Sequence, residues 1–323
     1  MSEKAFEVLA MLEDREKPLS GEEIAEGVEL HPAELEPLFE ELEKFGYKID
    51  SSDGYLLKER SPYILPYELR RHLRTRFIGQ KALHHDVVPS TLNIAMELAD
   101  NVDPASLHGL VVLAEEQTGG KGRMNREWHS PRGGIWATII LKPEKIPVDR
   151  LFMIIMAGSV AIARAIRREL GIGALIKWPN DIFIGSKKVA GLLQKNSLDE
   201  DDVNYVLLGF GLNVNVDVND FPPAVRPIAI SLDEEAGETL DRNRIMARVL
   251  KEFELRFLQL EEGEYDTILQ EWKSICLSMK RRVQIKTFRK TVRGEAVGID
   301  RNGALLVRKD NGVIEKVFAG DIF

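Results

Sequence analysis

Strand-like and helix-like segments follow one another in a fixed order between residues 110 and 216, and this order constrains the fold more than any single motif. Two apolar segments, GLVVLAEE and GGIWATIILKP, precede one long apolar helix, LFMIIMAGSVAIARAIRREL. Four more strand-like segments come after that helix: ALIKW, DIFIG, KVAGLLQK and NYVLLGFGLNVNV. Helices are predicted for STLNIAMELAD and near residues 241–260 and 264–275. Such a mixture of strands and helices predicts an α+β domain.

The composition narrows the class of protein. A chain of 323 residues with 44% hydrophobic side chains suffices for two or three domains with a substantial core. Its start, MSEKAFEVLAMLEDREK, lacks the basic and apolar regions of a secretory leader, and no apolar run approaches the ~18 residues of a membrane span. The single Cys276 excludes an intrachain disulfide and a cysteine-based metal cluster. We therefore expect a cytoplasmic protein with no membrane segment.

The two ends of the chain predict smaller domains. Residues 1–60 contain a helix over SEKAFEVLAML, a second helix in LSGEEIAEGV with a Ser20–Glu23 capping box, a third over HPAELEPLFEELEKFGY, and a hairpin in YKIDSSDGYLL. This is the order of a winged helix-turn-helix. SPYILP then suggests a linker, and residues 67–276 form the central domain. Alternating patterns broken by Asn-Gly pairs predict a small antiparallel β-barrel over residues 277–323.

The charge is distributed unevenly along the chain. Residues 1–60 carry 7 Lys and Arg against 17 Asp and Glu, a net charge of −10, whereas residues 61–323 carry 37 against 35, a net charge of +2. The third helix has five glutamates between Glu34 and Glu43, only Lys44 opposes them, and Pro37 interrupts the helix. Since DNA binding depends on Lys and Arg at phosphates, the domain suits protein contacts or dimerisation better than DNA.

A glycine-rich loop, EEQTGGKGRMNREWHSP, connects two of the central strands. Its glycines let backbone N–H groups approach a ligand, and Lys121, Arg123 and Arg126 supply positive charge. Lys121 is followed by Gly122 instead of Ser or Thr, so the loop is not a Walker loop. Asn125 stands where a Rossmann turn has its last glycine. The loop suits an anion, the alternative being a mobile hairpin with solvated charges.

Three further constellations accompany the loop. Gly209, Gly211, Asn213 and Asn215 alternate and so share one face of a strand, which leaves room for a flat ligand or, alternatively, marks a bulge. Ser90 and Thr91 begin a helix and serve either as caps or as ligand contacts. KWPND is either a plain hairpin turn or a turn that presents Lys177, Asn180 and Asp181 to a metal-bound phosphate.

Together, QTGGKGRMNREW, KWPND, KKVAGLL and GFGLNVN, in this order after STLNIA, resemble the biotin-protein ligases from about residue 67 to the end of the chain. The resemblance implies a catalytic domain similar to class II aminoacyl-tRNA synthetases and an SH3-like C-terminal barrel. It implies activation of biotin by ATP as biotinyl-5′-AMP, followed by transfer to a lysine of a biotin carboxyl carrier protein. Residues 1–60 extend the likeness to bifunctional ligases that also repress biotin operons.

The same resemblance implies roles for individual residues. Arg123 and Lys188 are the expected catalytic cations, placed where the biotin carboxylate meets the α-phosphate. The expected biotin-binding residues are Ser90, Thr91, Gln117, Gly120, Lys121, Arg123, Lys188, Gly191, Gly209 and Gly211. The expected ATP-binding residues are Trp128, Lys177, Asn180, Asp181, Lys188 and Asn213, with Asp181 also serving Mg²⁺. Asn125 and Gln194 depart from the family pattern, which has a glycine and an acidic residue there.

Two other functions compete with this one. A lipoyl or octanoyl ligase is expected to share the catalytic fold, but such enzymes lack a G-K-G-R loop combined with KWPND. A biotin-sensing repressor in which catalysis is secondary fits the winged helix-turn-helix, but the acidity of residues 1–60 opposes it. A homodimer is compatible with either function.

Overall fold

The chain divides into two compact units. The structure is a computed structural model that describes residues 2–199, 202–287, 290–318 and 320–322, except for the side chains of residues 125 and 321. The first unit covers Met1–Arg71 and the second covers His72–Phe323. The second unit thus includes both the central sheet and the C-terminal sheet. The division into three domains at residues 60 and 277 stays a prediction.

The first unit has three helices followed by a hairpin, the order expected of a winged helix-turn-helix. Helices α1 (Glu3–Leu12), α2 (Gly21–Gly27) and α3 (Glu36–Lys44) precede strands β1 (Lys48–Asp50) and β2 (Leu56–Glu59). The Ser20–Glu23 capping box begins α2 as predicted. The buried core of this unit includes Leu9, Leu12, Ile24, Phe39 and Leu42. Burial of one face of each helix explains the helical spacing of these residues in the sequence.

One prediction for this unit is wrong, because HPAELEPLFEELEKF does not form a continuous helix. A 3₁₀ turn covers Pro32–Glu34, and α3 begins at Glu36, so Pro37 lies in its first turn. Inside a helix, proline lacks the required N–H and its ring clashes with the carbonyl four residues earlier, but neither effect matters in the first turn. Pro37 therefore starts α3 and does not interrupt it.

The segment SPYILP belongs structurally to the first unit. Ile64 and Leu65 are buried, and the following helix α4 (Pro66–His72) carries the buried Glu68. Tyr47 donates a hydrogen bond from its hydroxyl to Glu68 Oε1 (2.9 Å), and Arg60 Nε donates to Glu68 Oε2 (3.0 Å). Burial, together with the Glu68 carboxylate, raises the pKa of Tyr47 far above its ordinary value. These contacts fix α4 to the hairpin end of the unit.

The second unit is built on a seven-stranded mixed sheet. Its strands are β3 (Ala82–Val88), β4 (Val111–Gln117), β5 (Ile135–Leu141), β6 (Leu175–Lys177), β7 (Asp181–Ile184), β8 (Lys187–Asp199) and β9 (Asp202–Leu212). Their order across the sheet is β3-β4-β5-β9-β8-β7-β6. Only the β3–β4 pair is parallel among the described pairings. The predicted α+β class is confirmed.

Helices cover this sheet and bury its apolar residues. α5 (Thr91–Asn101) contacts β4, β5 and β9, while α6 (Phe152–Leu170) contacts β6 to β9. α6 also packs against α8 (Arg242–Glu261) and α9 (Tyr265–Ser274). A short helix, α7 (Leu232–Ala236), precedes α8 in the chain and was not predicted from the sequence. Within the described residues, no helix combines the length and apolar character needed to cross a membrane.

The C-terminal strands form a separate five-stranded antiparallel sheet. It consists of β10 (Arg282–Lys286), β11 (Thr291–Ile299), β12 (Leu305–Arg308), β13 (Ile314–Val317) and β14 (Asp321–Ile322), in the order β13-β12-β11-β10-β14. Buried and exposed residues alternate along β10, as expected for a strand with one face in a core. The alternating pattern in the sequence therefore predicted this small sheet correctly.

Candidate active site

A cleft opens on the central sheet where β4, β8 and β9 meet the glycine-rich loop. It encloses about 780 Å³, a volume that includes the open solvent at its mouth. Most of the predicted site residues line it: Ser90, Thr91, Gln117, Lys121, Arg123, Trp128, Asn180, Asp181, Lys188, Gly191, Gly209 and Gly211. Residues far apart in the sequence, from α5 to β9, therefore converge in one place.

The cleft has an excess of positive charge. Four cations line it, Lys121, Arg123, Arg126 and Lys188, against the carboxylates of Glu127 and Asp181. Lys188 Nζ lies 2.7 Å from Asp181 Oδ1, so part of this charge is internally compensated. An anionic ligand would gain from this arrangement because the cations are already gathered around one space.

The glycine-rich loop between β4 and β5 folds back on itself. Gly122 N donates to Arg126 O (2.8 Å), and Trp128 N donates to Gly120 O (2.9 Å). A Cβ added at Gly120 would lie 2.4 Å from Trp128 O, so only glycine fits there. Glycine is thus needed at this position because the loop backbone returns past it at Trp128. Gly120 itself lines a neighbouring cavity and not the cleft.

Arg123 reaches across the cleft from this loop. Its Nη1 donates to Asn180 Oδ1 (3.1 Å), and its Nη2 donates to Gly320 O in the C-terminal sheet (3.4 Å). Asn180 is nearly fully buried and its Nδ2 also donates to Leu192 O. The contact joins the loop to the KWPND turn, so the two motifs that the sequence analysis combined are joined by a direct hydrogen bond.

Buried polar groups form one corner of the cleft. Gln117 Oε1 accepts from Thr91 N (2.9 Å) and from Thr91 Oγ1 (3.1 Å), while Gln117 Nε2 donates to Ser130 Oγ (2.9 Å). Thr91 Oγ1 lies 2.9 Å from Thr138 Oγ1. Ser90 stands at the N-cap of α5, but its side chain makes no capping hydrogen bond. The helix start therefore presents hydroxyl and amide groups to the cleft.

The glycine face of β8 and β9 is covered by Trp128. A Cβ at Gly211 would lie 2.2 Å from Trp128 Nε1, and one at Gly191 would lie 3.2 Å from Trp128 Cζ3. At Gly209 the nearest atom would be Thr138 Oγ1 at 3.4 Å, an ordinary contact. Trp128 Nε1 is buried and has no hydrogen-bond partner among the described residues. The space predicted for a flat ligand thus holds the indole in this structure.

Lys188 lies beside that indole. Its Nζ is 5.0 Å from the centroid of the Trp128 ring, close enough for a cation–π contact. The neighbouring Lys187 lies 3.5 Å from Glu234 on the surface. The structure therefore distinguishes the two adjacent lysines, which the sequence could not do from the alternation of β8 alone.

Two predicted ATP-binding residues do not line the cleft. Lys177 Nζ lies 5.1 Å from the centroid of the Phe183 ring. Asn213 is buried, its Nδ2 donates to Ile230 O (3.0 Å), and its Oδ1 lacks a partner within the described residues. Gln194 donates to Leu151 O (2.9 Å), while the side chain of Asn125 lies outside the described residues. The cleft geometry therefore gives no support to roles for Lys177 and Asn213.

Several lining residues were not singled out in the sequence. The sequence reasoning missed Leu92, Glu127, Ala137, Thr138, Leu192, Leu193 and Phe210. Only Thr138 had a local signal, because it is a polar residue within the apolar strand segment IWATIIL. The apolar members look like ordinary core residues until the fold places them at the cleft.

Two stretches of the chain match known protein families, and the first of them contains all the residues that line the cleft. Residues 87–213 match the family model described as the biotin/lipoate A/B protein ligase family. Residues 281–323 match the model described as the biotin protein ligase C terminal domain.

Similarity to individual proteins defines the family more narrowly. The bifunctional ligase/repressor BirA of Bacillus subtilis (strain 168) is 36% identical over 94% of this chain and 93% of its own length. BirA of Escherichia coli (strain K12) is 26% identical over 94% of this chain and 92% of its own length. The solved biotin protein ligase of Aquifex aeolicus, in complex with biotin and ATP, matches with a TM-score of 0.65 and 25% identity, covering 76% of this chain and 98% of that one. The chain belongs to the biotin protein ligase family.

Proposed function

We propose that the chain is a biotin–[acetyl-CoA-carboxylase] ligase. It uses this cleft to join biotin to the AMP part of ATP and then to transfer the biotin to a protein. The observation that carries the proposal is the convergence of four cations on a space bordered by the glycines of β8 and β9. The relatives named as biotin ligases favour biotin over the lipoyl or octanoyl alternative. The winged-helix unit of residues 1–71 leaves the relatives' repressor role as a second candidate.

The first step brings two anions together. An oxygen of the biotin carboxylate attacks the α-phosphorus of ATP, a carbon–oxygen–phosphorus anhydride forms, and diphosphate leaves. We assign Arg123 and Lys188 to the reacting oxygens, since Arg123 reaches the cleft from the glycine-rich loop and Lys188 reaches it from β8. Cations fixed at that point stabilise the additional negative charge at the phosphorus more than they stabilise the separated substrates.

The second step releases AMP. The uncharged amine of an acceptor lysine attacks the carbonyl of biotinyl-5′-AMP, an amide bond forms, and AMP and one proton leave. The chemistry requires a protein with an exposed lysine near the mouth of the cleft, and a biotin carboxyl carrier protein is the acceptor that a biotin ligase implies. The glycine-rich loop excludes water from the mixed anhydride until that lysine arrives.

The biotin side of the cleft combines polar and open surfaces. We assign the ureido ring to the corner of Thr91, Gln117 and Ser90, where amide and hydroxyl groups are already grouped. The rings would lie along Gly191, Gly209 and Gly211. Since the Trp128 indole now covers part of this face, biotin either stacks against it or displaces it. Gly120 and Lys121 act through the loop backbone.

The nucleotide side is assigned to the KWPND turn. Asn180 and Asp181 line the cleft beside Lys188, and Trp128 supplies an aromatic surface for the adenine. Among the described residues no three His, Cys, Asp or Glu side chains form a metal-binding group. Mg²⁺ is commonly bound through substrate phosphates and one or two carboxylates. We therefore propose that Mg²⁺ enters with ATP and that Asp181 is its protein ligand.

The proposed function is tested by labelling. The protein is incubated with biotin, Mg²⁺ and ATP labelled at the α-phosphate, with and without a purified biotin carboxyl carrier domain. We expect a labelled biotinyl-AMP only when biotin is present, and its consumption when the carrier is added. A lipoate control distinguishes the rival ligase: labelled adenylate with lipoate and none with biotin would reject the proposal.

A further inference from the structure

Two carbonyl groups beside strands of the C-terminal sheet accept hydrogen bonds from the glycine-rich loop and from the KWPND turn. Arg123 Nη2 donates to Gly320 O (3.4 Å), and Trp178 Nε1 donates to Gly303 O (3.3 Å). Arg123 belongs to the glycine-rich loop, and Trp178 precedes the residues of the KWPND turn that line the cleft. The C-terminal sheet therefore contacts both parts of the proposed adenylation site, although the lining residues all lie between 90 and 211.

The guanidinium of Arg123 is held at two points. Nη1 donates to Asn180 Oδ1 (3.1 Å), while Nη2 donates to Gly320 O. A planar guanidinium with two fixed acceptors has a defined orientation, which a lysine ammonium would not have. Trp178, which is 2% exposed, anchors the turn that carries Asn180. Asn180 Oδ1 and Gly320 O, which accept hydrogen bonds from Arg123, are thus both connected to segments that flank strands of the C-terminal sheet.

We propose that Gly320 is a positioning residue for the adenylation step, acting through Arg123. This inference rests on the proposed function. The Gly320 carbonyl holds the guanidinium beside Asn180 before the substrates bind, so the cation does not have to be reoriented while the anhydride forms. Pre-oriented charges stabilise a transition state more effectively than mobile ones.

Gly320 is fixed by its surroundings. Its φ of +154° lies in the region that favours glycine, and an added Cβ would lie 2.7 Å from Ile285 Cγ2 and 2.9 Å from Lys286 O. Any side chain at this position must therefore push the Gly320 backbone away from β10. The displacement would move the carbonyl that Arg123 contacts.

Gly312 offers a matched control in the same sheet. It also has a positive φ, +82°, but an added Cβ would meet nothing within 4 Å. Gly312→Ala therefore imposes backbone strain without a clash and without a contact to the cleft. A difference between Gly320→Ala and Gly312→Ala reports the position of the Gly320 carbonyl and not the general cost of a side chain at positive φ.

The experiment measures adenylate formation and adenylate escape for the full chain. Hydrogen bonds to charged groups are among the stronger ones in proteins, so we expect Gly320→Ala to slow biotin-dependent formation of labelled biotinyl-AMP about tenfold. The adenylate should also leave Gly320→Ala faster, whereas biotin binding without ATP should stay unchanged. Gly312→Ala should match the unmodified protein in all three measurements. Equal rates for the two variants would overturn the proposal.

A double-mutant cycle separates positioning from folding. If Gly320 acts through Arg123, adding Gly320→Ala to Arg123→Gln should cause no further loss, whereas independent effects would multiply. Should Gly320→Ala unfold the C-terminal sheet, Arg123→Lys takes its place, because it keeps a cation in the loop but loses the planar guanidinium that contacts Gly320 O. Slower adenylation supports the proposal, and an unchanged rate overturns it. An unmodified protein that forms no adenylate would instead reject the proposed function.

Discussion

Lys188 illustrates how much the surroundings of one residue decide. Its ammonium lies 2.7 Å from Asp181 and beside the Trp128 ring inside the cleft, whereas Lys187, the residue before it, lies at the surface near Glu234. The two side chains have the same chemistry. Of the two, only Lys188 lines the cleft.

Replacing Lys188 tests this difference. Lys188→Ala should slow biotinyl-AMP formation ~100-fold or more, the scale for removing one preorganised electrostatic contact, and should spare much of biotin binding. Lys187→Ala, the matched control, should leave adenylation near that of the unmodified protein. Adenylation is followed by release of diphosphate, and biotin binding by calorimetry. Similar losses in both variants would mean that β8 as a whole, and not the Lys188 charge, supports the reaction.

Gly211 is a second residue whose effect can be separated from that of a neighbour. Its Cβ position is 2.2 Å from Trp128 Nε1, whereas the Cβ position at Gly209 has ordinary contacts. Gly211→Ala should expel the indole and shift the tryptophan emission of the ligand-free protein to longer wavelength. Trp136, Trp178 and Trp272 are at most 2% exposed, so their emission should stay the same and should not contribute to the shift. Gly209→Ala should leave the emission unchanged, and identical spectra for the two variants would contradict the assigned position of Trp128.

The glycine-rich loop is the element whose behaviour links structure to specificity. Arg123 is its cross-cleft contact, and Lys121 and Arg126 add charge that favours closure over an anion. Arg123→Gly should let biotinyl-AMP escape faster than it is used. The free mixed anhydride then acylates exposed lysines of unrelated proteins.

A streptavidin blot of added albumin measures this escape. Arg132→Gly is the control, because Arg132 directly follows this loop but pairs with Asp86 (2.6 and 2.8 Å) away from the cleft. We expect albumin to be labelled by Arg123→Gly and not by Arg132→Gly. If Arg123→Gly still forms adenylate but labels albumin no more than the control does, Arg123 does not retain the intermediate.

At the scale of elements, the sequence predicted what depends on short-range patterns. The Ser20–Glu23 box, the strands and the glycine-rich loop are local features, and the structure has them. The position of Trp128 was not predictable, because it is set by Gly191 and Gly211, which are distant in the sequence. The contact of Arg123 with the C-terminal sheet was missed for the same reason. The predicted interruption of the third helix at Pro37 was wrong, because proline is tolerated in the first turn of a helix.

At the scale of the whole molecule, ion pairs at a partly buried carboxylate connect helices α6, α8 and α9. Glu271 of α9 accepts from Arg256 of α8 (2.9 and 2.7 Å) and from Arg164 of α6 (2.7 Å). Burial tends to raise the pKa of Glu271, but the hydrogen bonds and charges of the two arginines outweigh it and hold the pKa below its ordinary value of 4.5. The Glu271 carboxylate therefore joins the three helices α6, α8 and α9.

This lowered pKa predicts the direction of acid sensitivity. A carboxylate with a lowered folded-state pKa contributes stability above its unfolded pKa and loses it as the pH falls. The melting temperature should therefore fall as the pH drops below about 4.5, the ordinary value. Glu271→Gln should lower stability at pH 7 and weaken its dependence on acid pH, whereas Glu262→Gln, a change at an exposed carboxylate, should alter neither. An unchanged acid dependence in Glu271→Gln would contradict the assignment.

The acidic charge of the first unit determines what we expect of DNA binding. Its α3 exposes Glu36, Glu40 and Glu43, and residues 1–60 carry a net charge of −10. We predict no useful affinity for duplex DNA, because repulsion replaces the release of counterions that normally favours binding. A mobility-shift assay with DNA upstream of the chain's own biotin genes checks this. A salt-sensitive shift at nanomolar protein would establish the repressor function and overturn the prediction.

The central claim is that the biotin carboxylate and the α-phosphate meet between Arg123 and Lys188. A crystal structure of the protein with a non-hydrolysable sulfamoyl analogue of biotinyl-AMP tests it most directly. We predict that the linking group lies within ion-pairing distance, about 4 Å, of both the Arg123 guanidinium and Lys188 Nζ. The ureido ring should lie at Thr91 and Gln117. An analogue bound with its linking group away from both cations, or outside this cleft, would contradict the account.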